Sequence, residues 1–204
     1  MISPLLTILR HPFEGTEDIV QRKNGSFLLA NCILALWVFS VLLDRFLTGF
    51  IFNTTAKSSV NVLEIIMTTL FLFLLFIIAN WSICTLLDGK GRFKEIYIMC
   101  AYAFVPMIVF SLIGTAVSNF MLLEEGAFLG IIHTVGLLWS ALLLFAGLMA
   151  CHQYSFFKTL ISIALTVIGI AIMLFLLVLV FSLFQQLLTF FRTIYREIIY
   201  KINR

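Results

Sequence analysis

The chain has 204 residues, 62% of them hydrophobic and 11% charged, with a formal net charge of +3. A soluble domain carries about 25% charged residues and needs polar groups over its surface, so this composition excludes a water-soluble fold. The basic residues fall in short clusters, which excludes the continuous basic face that nucleic-acid binding requires.

Residues 1–26 precede any long apolar run. Ser3-Pro4 predicts a helix start, followed by a short apolar turn through Leu9 that Pro12 ends. Thr16 is expected to cap a second short helix. Glu17 and Asp18 stand in its first turn and Arg22 and Lys23 in its last, the order that suits the helix dipole. Asn24-Gly25 stops it. The segment is expected to lie along the membrane surface. No positive charge precedes the first short apolar stretch, so no cleavable signal peptide is expected.

Five apolar runs follow, at about 27–43, 62–87, 96–122, 127–150 and 160–184. A crossing needs about 20 apolar residues, so residues 27–184 form a five-span membrane domain. Asp44-Arg45 closes the first run, and a polar, aromatic connection containing Asn53 and Lys57 leads to the second. Asp88-Gly89-Lys90-Gly91-Arg92 is a tight charged loop between the second and third. Pro106 lacks an N–H and is expected to kink the third. Glu124-Glu125-Gly126 is so short a turn that spans three and four must be antiparallel neighbours.

Beyond 184 the pattern changes. Leu187, Leu188, Phe191, Ile194, Tyr195, Ile198, Ile199 and Ile202 recur at three- and four-residue steps, opposite Arg192, Arg196 and Lys201. This predicts an amphipathic helix over 185–204 lying in the interface. The expected fold is all-α: a polytopic membrane helical bundle of about five spans, with short N-terminal surface helices and a C-terminal amphipathic helix.

Basic residues favour the cytoplasm. A cytoplasmic N-terminus places Arg22, Lys23, Lys90, Arg92, Lys94 and Lys158 inside and Glu124-Glu125 outside. Five spans then carry the basic tail outside, against the rule.

Two stretches carry a family resemblance. His11-Pro12-Phe13-Glu14-Gly15 with Glu17-Asp18-Ile19, and Asn80-Trp81 through Leu87-Asp88-Gly89-Lys90-Gly91 to Tyr102-Ala103-Phe104-Val105-Pro106, resemble bacterial members of the Yip (Ypt/Rab-interacting protein) domain family. The resemblance implies a five-span membrane fold with a cytoplasmic N-terminus. Eukaryotic relatives bind prenylated small GTPases through a long cytosolic N-terminal region, for which 26 residues are too few. Many bacterial relatives are encoded beside carbohydrate ABC transporters.

Asp88, Lys90 and Arg92 are the candidate docking points for a membrane partner, with Arg192 and Arg196 on the tail. Asn80 is placed to bond across helices, and Trp81 to anchor at the interface. Gly114, Gly126 and Gly130 are candidate close-packing positions, with contact inside one chain favoured over homo-oligomer formation. His133 is an intramembrane ionisable group, read as a neutral side chain bonded to a neighbour. His11 and His152 offer no metal spacing, and the four cysteines are expected to be buried small apolar groups. No HExxH, GxSxG, Walker loop or paired intramembrane aspartate is present, so no catalytic residue, metal or cofactor is expected. The expected function is a non-enzymatic partner protein in a bacterial plasma membrane, binding the lipid bilayer and other membrane proteins, ABC transporter components among them. A small oligomeric transporter is the alternative, with Asn31, Glu64, Asn80 and His133 as its few polar candidates; a lipid-modifying enzyme ranks last.

Overall fold

The computed structural model describes residues 7–8, 11–22, 25–53 and 60–202. In a bilayer the backbone polar groups of an apolar run have no water to bond, so each run must satisfy them within a helix. The helices are α1 (Pro12–Arg22), α2 (Phe27–Leu47), α3 (Val62–Leu86), α4 (Phe93–Ala103), α5 (Val105–Ser118), α6 (Gly126–His152) and α7 (Phe156–Ile202), with a 3₁₀ turn at Leu123–Glu125 before α6. No strand occurs among the described residues. Five segments are long and apolar enough to cross a membrane: α2, α3, α4 with α5, the 3₁₀ turn with α6, and α7. Large apolar side chains such as Leu28, Phe39, Met67, Leu138 and Phe175 point outward, as lipid-facing positions do. The chain is an all-helical, polytopic membrane protein.

Side chains fix where the spans begin. Ser26 Oγ accepts the Leu29 N–H at 3.4 Å and Asn61 Oδ1 accepts the Leu63 N–H at 3.1 Å, each satisfying an amide that the first helical turn leaves free. The third span is the core. Every residue from Ile96 to Ala103 is buried, and α4 packs on α2, α3 and α6. Around it, α5 lies between α2 and α6, and α3 runs against α7. One face of the bundle carries α1, the 87–92 loop and the 153–155 connection; the other carries residues 48–53 and the 119–125 connection.

The third span is interrupted at Phe104, two residues before Pro106. Proline supplies no N–H and crowds the preceding turn. The Met107 N–H turns instead to Ser140 Oγ of α6, at 3.0 Å. Trp37 stacks on Phe104 at the break, ring centroids 4.4 Å apart. Replacing Ser140 with alanine strands the Met107 amide in an apolar interior, and an unsatisfied buried donor costs about 1–3 kcal/mol. Chemical unfolding of the variant in mild detergent should show that loss, and a loss below a few tenths of that range would mean the amide finds another partner.

One expectation needs correction. Thr16 does not cap a helix: it lies inside α1, and its hydroxyl donates back to the Pro12 and Phe13 carbonyls at 2.7 and 2.9 Å. Pro12 opens that helix, where a first-turn residue needs no N–H, and the helical residues 7–8 lie before it. The expected start at Ser3-Pro4 lies outside the described residues. The tail is helical and continues the fifth span. Nothing between Phe184 and Leu187 breaks a helix, and α7 runs 47 residues without interruption.

Candidate functional site

The end of α3 and the end of α6 meet on the α1 face, and both helices stop in the same way. Asp88 adopts φ 57° and Gln153 φ 55°, left-handed positions that terminate a helix. The Gly89 N–H then donates back to the Cys84 carbonyl at 2.8 Å. Tyr154 completes the cap from the other chain segment. Its hydroxyl lies 3.0 Å from the Cys84 carbonyl and 3.1 Å from that of Leu87, so its one proton is directed at two carbonyl oxygens of that helix end. Burial, with the neighbouring Cys84 thiol and Asp88 carboxylate adding to it, pushes the Tyr154 phenol up to about 12. The proton it donates is therefore held at any physiological pH. Lys158 lies over the Tyr154 ring at 4.4 Å.

The two loop glycines are packed, not loose. A Cβ on Gly89 would lie 2.6 Å from both His152 Nδ1 and Tyr154 Oη and 2.8 Å from the Cys84 carbonyl oxygen. One on Gly91 would lie 2.8 Å from His152 Cε1. The loop backbone thus sits directly on the imidazole, which itself stacks on Tyr154. Between the glycines, Lys90 Nζ donates to Gln153 Oε1 at 3.0 Å.

Beneath the loop a chain of polar groups runs into the bundle. The Thr166 hydroxyl donates to the Ser162 carbonyl at 2.7 Å and accepts from Asn80 Nδ2 at 3.1 Å. That fixes which way the Asn80 amide faces, so its Oδ1 meets His152 Nε2, 3.1 Å away. Nε2 must then carry the proton, leaving Nδ1 as a bare acceptor. Nδ1 is buried and has no hydrogen-bond partner among the described residues. Asn80, Thr166 and Ser162 are fully buried and His152 nearly so.

The residues singled out from sequence fall in several places. Asn80 is at the centre of the network, and Trp81 beside it faces outward, edge-on to Phe93 at 6.1 Å. The charges of the loop diverge: Asp88 is exposed, Lys90 reaches the 153 turn, and Arg92 turns toward α1. Arg192 and Arg196 are exposed on α7, far from the loop. Because Asn80 pairs with Thr166 while Cys84 meets Tyr154, α7 runs antiparallel to α3 and carries these arginines past the opposite face. Gly114 packs under His133, whose Nε2 would be 2.8 Å from a Cβ there, and Gly126 packs under Phe52. Gly130 has nothing within 4 Å, so contact within the chain explains one glycine of that step and not the other. Of the four polar residues that could line a path, Asn31 is bonded by the Tyr97 hydroxyl at 2.6 Å and Asn80 is tied into the network, while Glu64 lies exposed at the start of α3 on the opposite face. Cys84, Cys100 and Cys151 are buried and Cys32 is exposed, all as free thiols. Among the described residues no group of three or more His, Cys, Asp or Glu is placed to hold a metal. His152, Tyr154 and Thr166 had not been singled out as a site; their only sequence signal was an ionisable or hydroxyl side chain at the edge of an apolar run.

Neither the curated proteins nor the solved structures gave a match to this chain. The Yip1 domain family does match, over residues 6–189. That range takes in the first four spans, most of the fifth and the loop above His152, and the chain belongs to the Yip1 domain family.

Proposed function

We infer that this Yip-type protein is a non-enzymatic accessory protein of the bacterial plasma membrane, docking a membrane partner on the face that carries the Asp88–Arg92 loop. The observation that supports this is the fixed geometry of the loop. Asp88 in a left-handed turn, Gly89 and Gly91 seated on His152, and Lys90 bonded to Gln153 hold charged groups in one arrangement. A surface that is already ordered loses less entropy on binding. The same packing argues against catalysis at His152, since its free nitrogen is covered by loop backbone and leaves no room for a substrate. The cluster of Lys90, Arg92, Lys94 and Lys158 supports a cytoplasmic position for this face, and the bacterial resemblance makes the membrane subunits of a carbohydrate ABC transporter the first partners to test.

A photo-crosslinking residue placed at Lys90, and a second at Glu124 on the opposite face, tests the reading in intact cells. The position-90 probe should give a discrete adduct with a membrane transport subunit, absent from position 124. Matching adducts at both positions, or adducts with lipid alone, would refute a docking face at the loop.

A further inference from the structure

A cleft of about 200 Å³ lies between α1 and the start of α4. Ile19, Val20, Ile98 and Met99 make its walls apolar, while Arg92 and Lys94 stand at its charged edge. We propose that this cleft binds the headgroup and upper glycerol of an anionic phospholipid drawn from the surrounding bilayer.

Three features point to that occupant. The first is charge. Among the described residues two cations line the cleft with one carboxylate, and that carboxylate, Glu95, is engaged by the Arg92 N–H at 3.2 Å. The N-terminal end of α4, which opens at Phe93, adds partial positive charge at the same place. The second is depth. Spans α2 and α4 both begin here, Lys94 Nζ lies 5.9 Å from the Phe27 ring centroid, and Phe93 meets Trp81 edge-on. Aromatic and cationic side chains together mark the level of lipid headgroups. The third is the mixed lining. A free inorganic anion has no use for four apolar walls, whereas a phospholipid offers a phosphate to the edge and a hydrocarbon stem to the floor. The cleft is also too small for a helix of a partner protein, about 10 Å across. The site stands apart from the loop's docking role, because Arg92 turns to the α1 side while Lys90 turns to Gln153.

The test uses the full chain in neutral detergent, titrated with phosphatidylglycerol and with phosphatidylcholine of the same acyl chains, read by native mass spectrometry. Phosphatidylglycerol should bind at least about five-fold more tightly, and Arg92→Gln and Lys94→Gln should each weaken it about five-fold, the factor expected for one interfacial charge. Val20→Trp fills the cleft from the peripheral helix and should weaken both lipids. Both cationic side chains are exposed, so their removal leaves the core intact, and an unchanged melting temperature checks this. Equal affinity for the two lipids, or an unchanged phosphatidylglycerol affinity in the Arg92→Gln, Lys94→Gln double variant, overturns the proposal. Displacement of the lipid by millimolar inorganic phosphate also overturns it, as does a preference for phosphatidylethanolamine that Glu95→Gln abolishes.

Discussion

Gly89→Ala should destabilise the protein by about 3 kcal/mol, the upper end of what overpacking costs, although the change adds one methyl group. All three nearest atoms to the new Cβ would be closer than 3 Å, and one is the Cys84 carbonyl oxygen of the backbone, which cannot swing away. Relief requires the loop to lift, and lifting it separates Gly89 from His152 and Tyr154 together. Gly91→Ala should cost less, because its closest neighbours belong to the His152 ring and the backbone oxygen of Cys151 is 3.2 Å off. Gly130→Ala provides the contrast. With nothing within 4 Å and a helical backbone, it should gain up to about 1 kcal/mol from helix propensity. Thermal unfolding in mild detergent, followed by circular dichroism, ranks the three. Should Gly89→Ala melt with Gly130→Ala, the loop is not seated on His152.

Asn80→Ala should cost about 2–3 kcal/mol. An interhelical hydrogen bond within a membrane is worth about 0.6–1.7 kcal/mol, and this amide makes two, to His152 and to Thr166. Its loss leaves the imidazole buried with neither nitrogen bonded, since Nδ1 already has no partner among the described residues. His152→Phe should remove part of the same energy. The double variant should therefore fall short of the sum of the singles by about 1 kcal/mol, the coupling expected of residues in one network. Denaturant titrations of the four proteins measure it. Strict additivity would show that Asn80 and His152 do not share a bond.

The spans were legible because the bilayer imposes one rule on every apolar run, and hydropathy alone reveals where the rule applies. The interruption near Pro106 was equally open to reading, since the missing N–H is a property of the residue itself. What the residues could not disclose singly were partners far apart in sequence. Asn80 announced a need for hydrogen bonds, but nothing local named His152 or Thr166 as the groups that meet it. Nor did Pro106 name Ser140. The glycines are ambiguous in a particular way: Gly89 and Gly91 suggest only a tight turn and prove to be closely packed, whereas Gly126 and Gly130 suggest a packing step of which only Gly126 makes contact. A missing side chain marks either freedom or crowding, and only the neighbours decide which. The tail shows a related limit. Its amphipathic stripe was plain, but the absence of a helix breaker between Phe184 and Leu187 mattered more than the change of pattern.

α7 extends about 70 Å at the usual rise per residue, and Gly169 is its single glycine. That glycine is pressed against Ile83, and from Ile170 to Ile202 neither glycine nor proline offers a joint. The helix is in effect a stiff shaft with its bearing at one end, where Thr159, Ser162 and Thr166 are fully buried and Asn80 grips Thr166. Torque applied at Arg196 has no intervening swivel in which to dissipate. It arrives at Thr166 as rotation, and a turn of the shaft by one residue's angular step, about 100°, would carry the threonine hydroxyl out of Asn80's reach.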